Sequence, residues 1–141
     1  MNEHTQDLKS RVFLAGLNTG YSVDEFEHSM EELQELSKAC NMDVIGIFTQ
    51  NLTTPITATY IGSGKIAEIK EAVIIHEADA VIFDETLSPI QLRNLSDELD
   101  VPILDRTALI LRIFKERART KEAMLQVELA NLQPSTPSAR T

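Results

Sequence analysis

The feature that most constrains the fold of this chain is a regular alternation of short apolar segments with longer amphipathic ones. The apolar segments have β-like composition and are Arg11–Leu17, Asp43–Gln50, Ala80–Phe83 and Val101–Leu104. The third reads AVIF and is apolar throughout, as expected for a strand that is covered on both faces. Strands that alternate with helices and short turns form βαβ units and a parallel sheet. The sequence therefore predicts an α/β fold with a small open parallel sheet of about four strands and flanking helices.

Local signals predict where two of the helices begin. Ser22 is followed three residues later by Glu25, which is the spacing of a capping box. Asn41, beyond the end of this first helix, suits a left-handed C-terminal residue. Ser88 precedes a proline, so that we expect an N-cap and a first helical position before the short helix Ile90–Leu99. The fourth strand contains Pro102 and is therefore expected at or near an edge of the sheet.

The distribution of charge changes at Asp105. The chain has 141 residues and a net charge of −9, but the part up to Asp105 carries 6 Lys+Arg against 19 Asp+Glu, a net of −13. The remainder carries 7 against 3, a net of +4. Basic charge concentrated on one segment of an acidic protein indicates an anionic partner. The candidate contacts with the phosphates or other anionic groups of such a partner are Arg112, Lys115, Arg117, Arg119 and Lys121, and the alternative interpretation of this run is a solvated charged face.

The basic segment, which extends to Leu132, has an uninterrupted helical pattern and would be about 40 Å long at 1.5 Å per residue. Its predicted apolar stripe consists of Ile110, Phe114, Ala118, Leu125, Leu129 and Leu132. We expect the first part to pack on the sheet and the second part, Leu125–Leu132, to extend past the sheet and to need another helix as its partner. The predicted organisation is an α/β domain over residues 1–105, a long basic arm helix over 106–132, and a disordered Pro/Ser/Thr-rich tail over 133–141.

A glycine-rich segment precedes the predicted helix Ile66–Glu77 and invites comparison with a phosphate-binding loop. It consists of Gly62, Ser63, Gly64 and Lys65. The Walker pattern G-x-x-x-x-G-K-[ST] fails twice, because Thr59 stands at its first glycine and Ile66 replaces the hydroxyl that holds magnesium. Two interpretations remain open: a structural turn, or an anion- or nucleotide-binding site made of backbone N–H groups and a lysine at a helix N-terminus.

Other residue types give no catalytic constellation. Asp84, Glu85 and Asp105 follow predicted strands, where carboxylates can hold Mg²⁺, but we expect them to act as turn and cap residues. A single cysteine, Cys40, excludes a disulfide framework, and the three histidines have no partner at useful spacing. We therefore expect no catalytic residue, no metal ligand and no cofactor of its own in this chain.

The sequence contains no apolar run of the ~20 residues that a membrane span needs, and its N-terminal ten residues are too polar for a signal peptide. The expected location is therefore the cytoplasm. Tryptophan is absent and aromatic residues make up 5% of the chain, which argues against a base-stacking platform on the sheet.

Four ordered blocks of this sequence resemble the N-terminal domain of the HflX family of ribosome-associated GTPases. They are Thr59–Lys65, then Val81–Asp84 with Leu87–Leu95, then Asp105–Thr107, and finally Arg117–Thr120 with Leu125–Ala130. The specific resemblance covers roughly Tyr60–Leu132, and Arg11–Gln50 agrees in pattern only.

The resemblance implies an α/β domain, a two-helix arm and then a GTP-binding domain. It also implies a protein that binds the large ribosomal subunit, contacts its RNA through the N-terminal region, and separates or rescues stalled ribosomes. The chain departs from the family pattern after Leu132, and neither a Walker lysine nor N-K-x-D occurs in it. GTP and Mg²⁺ are thus implied for the full-length family, whose GTPase domain would be a partner of this chain. The alternatives are a nucleotide- or phosphate-binding regulatory module and a dimerising interaction domain.

Overall fold

A computed structural model describes the backbone of residues 9–132 and the side chains of residues 9–121. Strands and helices alternate along this part of the chain. In chain order they are β1 (Ser10–Asn18), α1 (Val23–Ala39), β2 (Met42–Asn51), α2 (Ser63–His76), β3 (Ala80–Phe83), α3 (Pro89–Leu99), β4 (Ile103–Asp105) and α4 (Arg106–Leu132).

The four strands form one parallel sheet in the order β2-β1-β3-β4. The predicted α/β fold with four parallel strands is therefore confirmed. β4 lies at one edge of the sheet, as predicted from Pro102, which directly precedes it and has no N–H to donate to a neighbouring strand. β2 forms the other edge and is the longest strand, with ten residues.

Helices cover both faces of the sheet because successive strand residues point to opposite sides. On one face, Phe13 and Ala15 of β1 pack with the apolar residues of α2 and α3. On the other face, Val12 and Leu14 pack with Met30 and Leu33 of α1 and with Leu109 of α4. β3 is buried along its whole length, as its apolar sequence predicts.

The predicted capping residues are present. The Ser22 hydroxyl accepts a hydrogen bond from the Glu25 amide, and the Glu25 carboxylate accepts one from the Ser22 amide. Ser88 and Gln91 form a second, equivalent capping box at the start of α3. Asn41 has the predicted left-handed conformation, with φ of 62°.

The glycine-rich segment differs from its prediction, because α2 begins at Ser63 and not at Ile66. Gly62 is the N-cap, and the next three residues form the first turn of the helix. Amides in a first turn have no intrahelical acceptor, so that a helix can begin in glycine-rich sequence without losing hydrogen bonds there.

Helix α4 begins where predicted, but its buried residue is not the one expected. Oδ1 of Asp105 accepts a hydrogen bond of 2.9 Å from the Ala108 amide, which makes Asp105 the N-cap. Leu109 is completely buried, whereas Ile110 is half-buried and Phe114 is 60% exposed. The predicted stripe was therefore wrong at these positions, since among the described side chains of α4 the buried one is Leu109, in the first turn.

The chain divides into two compact units, with the boundary between Ile110 and Leu111. The predicted domain limits at residues 105 and 132 remain predictions. The side chains of Leu125–Leu132 and the tail 133–141 lie outside the described residues, so that the predictions of an arm interface and of a disordered tail stay open.

Candidate functional site at the strand ends and on the basic helix

The carboxyl ends of β1 and β3 flank the switch point of the sheet. The chain leaves β1 toward β2 on one side and leaves β3 toward β4 on the other. Open α/β sheets bind ligands at such a point. Two clefts of 360 and 290 Å³ lie here, and both are lined by Tyr21 and Glu85. Asp84 lines the smaller cleft, and Tyr60 lines the larger.

A buried pair, Tyr60 and Asp84, closes the base of this region. The Tyr60 hydroxyl donates a hydrogen bond of 2.8 Å to Oδ1 of Asp84, and the Leu17 amide donates one of 3.2 Å to Oδ2. Asp84 is 4% exposed and Tyr60 is 5% exposed. Tyr60 has φ of 70° and packs edge-on against Phe83. The loop after β2 is thereby attached to the end of β3.

Burial raises the pKa of the Asp84 carboxyl above its ordinary value. The hydrogen bonds from Tyr60 and from the Leu17 amide lower this pKa in part, and the negative charge of Glu85 raises it. Burial also raises the pKa of the Tyr60 phenol, and the charge of Asp84 raises it further. The phenol is therefore always protonated at neutral pH and serves as the donor.

Asp105, at the end of β4, has both carboxylate oxygens occupied. Oδ2 accepts a hydrogen bond of 2.9 Å from the Leu87 amide, while Oδ1 caps α4. Asp84 and Asp105 thus both lie at the carboxyl ends of the parallel strands, as predicted, but each accepts hydrogen bonds from protein donors. Among the described residues, no group of three or more His, Cys, Asp or Glu side chains is placed to hold a metal ion. The described carboxylates at the strand ends therefore serve as hydrogen-bond acceptors for loops and a helix cap and do not fit a Mg²⁺ site.

Arg106 is the one basic residue of α4 that is built into the domain rather than presented to solvent. Its Nε donates to the Asp84 carbonyl at 2.9 Å, and its Nη2 donates to the Ser29 carbonyl and hydroxyl at 3.1 and 2.8 Å. An ion pair with Glu32 completes its contacts. The sequence places Arg106 at the start of the basic run but does not show this role, because its partners are 22 and 77 residues away.

The five predicted phosphate contacts on α4 are all exposed. Arg112, Lys115 and Arg119 are spaced by three and four residues and therefore share one face of the helix. Arg117 and Lys121 are spaced by four and share a different face. Arg119 pairs with Glu116 at 2.6 Å, and the Thr120 hydroxyl bonds to the Glu116 carbonyl. These cations therefore form two groups on different faces of α4, and their spacing in the sequence indicates the same division once the segment is known to be helical.

The predicted anion-binding residues lie at the N-terminus of α2. The Gly62 amide donates 2.9 Å to Oε1 of Gln50, and Lys65 forms an ion pair of 3.0 Å with Glu68. No side chain caps the helix, and a methyl group built on Gly64 would have no neighbour within 4 Å. An anion could approach the first-turn amides here, but it would compete with Glu68 for the lysine.

None of the helices within residues 9–132 is long and apolar enough to cross a membrane. The fold and the site define a parallel α/β domain in which strand-end carboxylates hold the loops and a long basic helix follows the last strand. Residues 27–115 match the family described as GTP-binding GTPase N-terminal. This chain belongs to that family, and the predicted resemblance to the N-terminal domain of HflX is confirmed.

Two curated relatives named GTPase HflX illustrate the match. The one from Caldanaerobacter subterraneus is 45% identical over 137 residues, which is 97% of this chain and 31% of the relative. The one from Alkalihalophilus pseudofirmus is 41% identical over 136 residues, which is 94% of this chain and 32% of the relative. The chain therefore spans about a third of the length of the curated relatives it matches.

Solved structures agree with the fold. A GTP-binding protein from Sulfolobus solfataricus in complex with GDP is 30% identical, with a TM-score of 0.58 over 92% of this chain and 38% of that one. A second structure, a complex of SsGBP with GDP, is 31% identical, with a TM-score of 0.60 over 89% of this chain and 35% of that one.

Proposed function

We propose that this chain is the ribosome-contacting domain of an HflX-like GTP-binding protein, and that it binds RNA of the large ribosomal subunit through α4. The observation that carries the proposal is the group of five exposed cations on one helix of a chain whose net charge is −9. The acidic remainder would repel RNA, so that contact would be directed to this helix. Contacts between such cations and phosphates position a protein on RNA without reading the RNA sequence.

The two cationic faces make the proposal testable in detail. A straight helix lying on an RNA surface cannot present opposite faces to it equally. We infer that the face with Arg112, Lys115 and Arg119 contacts the RNA, because it carries three cations and the other carries two. Glu116, which pairs with Arg119, would release this arginine to a phosphate.

The experiment is cosedimentation of the 141-residue chain with purified large ribosomal subunits over a series of salt concentrations. The triple variant Arg112→Gln, Lys115→Gln, Arg119→Gln should bind more weakly and reduce the magnitude of the log affinity–log salt slope by about 2 to 3. The double variant Arg117→Gln, Lys121→Gln should change the slope by less than about 1. Arg93→Gln, which removes an exposed cation of α3, is the matched control.

Equal affinity and equal slope for the wild-type chain and the triple variant would contradict the proposed RNA contact. A larger effect of the double variant would keep RNA binding on α4 but reverse the assignment of its faces.

In the whole protein, we propose that this domain acts together with a GTPase domain that binds GTP and Mg²⁺, in ribosome splitting or rescue. The support is the name GTPase HflX of relatives about three times as long as this chain. GTP hydrolysis is assigned to no residue described in this structure.

The alternative function is phosphate or nucleotide binding by Gly62, Ser63, Gly64 and Lys65, supported by the uncapped first turn of α2. Titration calorimetry with ATP or GTP and Mg²⁺ tests it on the same chain. Lys65→Ala should weaken the binding, whereas Lys70→Ala, which removes an exposed lysine of the same helix, should not. An absence of heat at millimolar nucleotide would eliminate this alternative.

A further inference from the structure

The first residues of α4 are held by the α/β domain, and the five exposed cations follow them on the same helix. Residues 106–110, which we call the root of α4, lie on the α/β side of the boundary between Ile110 and Leu111. If the root were free to move, that freedom would be lost when the cations bind a fixed array of phosphates, and the affinity would be lower. The contacts that hold the root therefore affect how tightly the helix can bind RNA.

Arg106 connects the root to two other elements of the domain. Its Nε donates a hydrogen bond of 2.9 Å to the carbonyl of Asp84, directly after β3. Its Nη2 donates to the carbonyl and the hydroxyl of Ser29 on α1, at 3.1 and 2.8 Å. Its Nη1 lies 3.6 Å from Oε1 of Glu32, which follows Ser29 by three residues on the same helix. The root is thereby attached to the end of β3 and to α1 by a single side chain.

These contacts depend on the shape of the guanidinium as well as on its charge. Each of the three nitrogens of Arg106 has a protein partner, and the side chain is only 21% exposed. A planar guanidinium presents its N–H groups in fixed directions, whereas a lysine has one nitrogen and cannot reach the same acceptors together. Arg106 therefore uses its donors within the domain and is not presented to phosphates as the five exposed cations are.

We propose that Arg106 is a positioning residue for the contact with RNA: it holds the root of α4 on α1 and on the end of β3, so that the helix loses less freedom on binding. The inference rests on the proposed function, because it concerns the affinity of the same helix for RNA. A phosphate contact contributes charge, so that its loss lowers both the affinity and the magnitude of the salt slope. A positioning residue contributes order, so that its loss lowers the affinity alone.

The test is cosedimentation of the 141-residue chain with purified large ribosomal subunits over a series of salt concentrations. Arg106→Gln and Arg106→Lys should each raise the dissociation constant about three- to tenfold. Both should change the log affinity–log salt slope by less than about 0.5. Arg106→Lys is the decisive variant, because it keeps the positive charge and would preserve a phosphate contact, but it loses the fork that joins α1 to β3.

A second variant separates positioning from a general loss of stability. Val73→Ala shortens a buried side chain of α2, in the core on the other face of the sheet from α1 and Leu109. It should destabilise the domain, since it leaves a cavity, without touching the root of α4. Circular dichroism establishes that each variant is folded under the conditions of the assay. The folded Val73→Ala chain should bind large subunits as tightly as the wild-type chain.

Hydrogen exchange measures the hold on the root without RNA. The amides of residues 110–113 bond to carbonyls of the root, so that their exchange reports its local opening. In both Arg106 variants these amides should exchange about three- to tenfold faster relative to those of α3, whereas Val73→Ala should leave this ratio unchanged.

The outcomes distinguish this inference from the proposed function. If the wild-type chain does not cosediment with large subunits, the proposed function fails, and this inference fails with it. If the wild-type chain binds, the inference alone is overturned by Arg106 variants that bind as tightly, by rescue through Arg106→Lys, or by equal weakening in Val73→Ala. An unchanged exchange ratio in the Arg106 variants would also overturn it, since the root would then be held without Arg106.

Discussion

The Tyr60 hydroxyl donates a hydrogen bond of 2.8 Å to the carboxylate of Asp84, which lies 24 residues further along the chain. Both side chains are buried, and no cation contacts the carboxylate in the described structure. A buried carboxylate without a cation depends on its hydrogen-bond donors. The bond therefore holds the loop before α2 against the end of β3, at the switch point of the sheet.

Removing the donor should destabilise the fold. Tyr60→Phe leaves Oδ1 of Asp84 buried without a hydrogen bond, and we expect the free energy of unfolding to fall by roughly 1.5 to 3 kcal/mol. Urea denaturation followed by circular dichroism measures this change. Tyr21→Phe, which alters a tyrosine that is 54% exposed, should change it by less than about 0.5 kcal/mol. Equal effects of the two variants would show that the hydrogen bond contributes little.

The raised pKa of Asp84 predicts a pH dependence of stability. The folded protein holds this proton more tightly than the unfolded chain, whose aspartate pKa is about 3.9. As pH rises from the unfolded toward the folded pKa, the unfolded chain releases the proton first, so that this residue lowers the stability increasingly. Asp84→Asn lacks this titration, and the stability of the wild-type chain should therefore fall relative to that of the variant as pH rises from about 4 to 7. A difference that stays constant over this range would contradict the prediction.

Arg106 should behave differently from the other cations of α4. Its guanidinium binds two carbonyls and a hydroxyl inside the domain, so that Arg106→Gln should lower the free energy of unfolding by roughly 2 kcal/mol. Arg112→Gln, on the exposed part of the same helix, should change it by less than about 0.5 kcal/mol. Denaturant titration of the two variants makes the comparison, and similar losses would argue against the structural role of Arg106.

The second capping box offers a test of local stability. Ser88→Ala removes the acceptor of the Gln91 amide and should lower the free energy of unfolding by about 1 kcal/mol. Ser96→Ala, at an exposed position within the same helix, is the matched control and should have little effect, since alanine favours helix. If both variants lose equal stability, the effect does not come from the cap.

The local elements could be predicted because their determinants are local. The apolar run Ala80–Phe83 became a buried strand with the predicted bounds, and Ser22 and Ser88 begin their helices as expected. Each of these features depends on residues within a few positions of one another. The start of α2 was predicted three residues late, because glycines indicate a turn and a first helical turn equally well.

The candidate site was predicted only in part. The sequence indicated carboxylates at the strand ends and cations on the long helix, and the described residues place them there. It did not indicate that Tyr60 adopts a left-handed conformation, because such a conformation is unfavourable for a bulky residue and must be compensated by distant contacts. An aromatic residue in a polar loop next to Ile61 was the only signal available.

Sequence alone determined the fold class, the order of the elements, the family and the concentration of positive charge in the last helix. These features follow from periodicity, composition and ordered motifs, which need no knowledge of what packs against what. Only the tertiary structure decided that Leu109 is buried in the first turn of α4, that Arg106 is structural, and that Tyr60 contacts Asp84. Each of these contacts joins residues that only the sheet and its crossovers bring together, and their burial depends on that packing rather than on their neighbours in sequence.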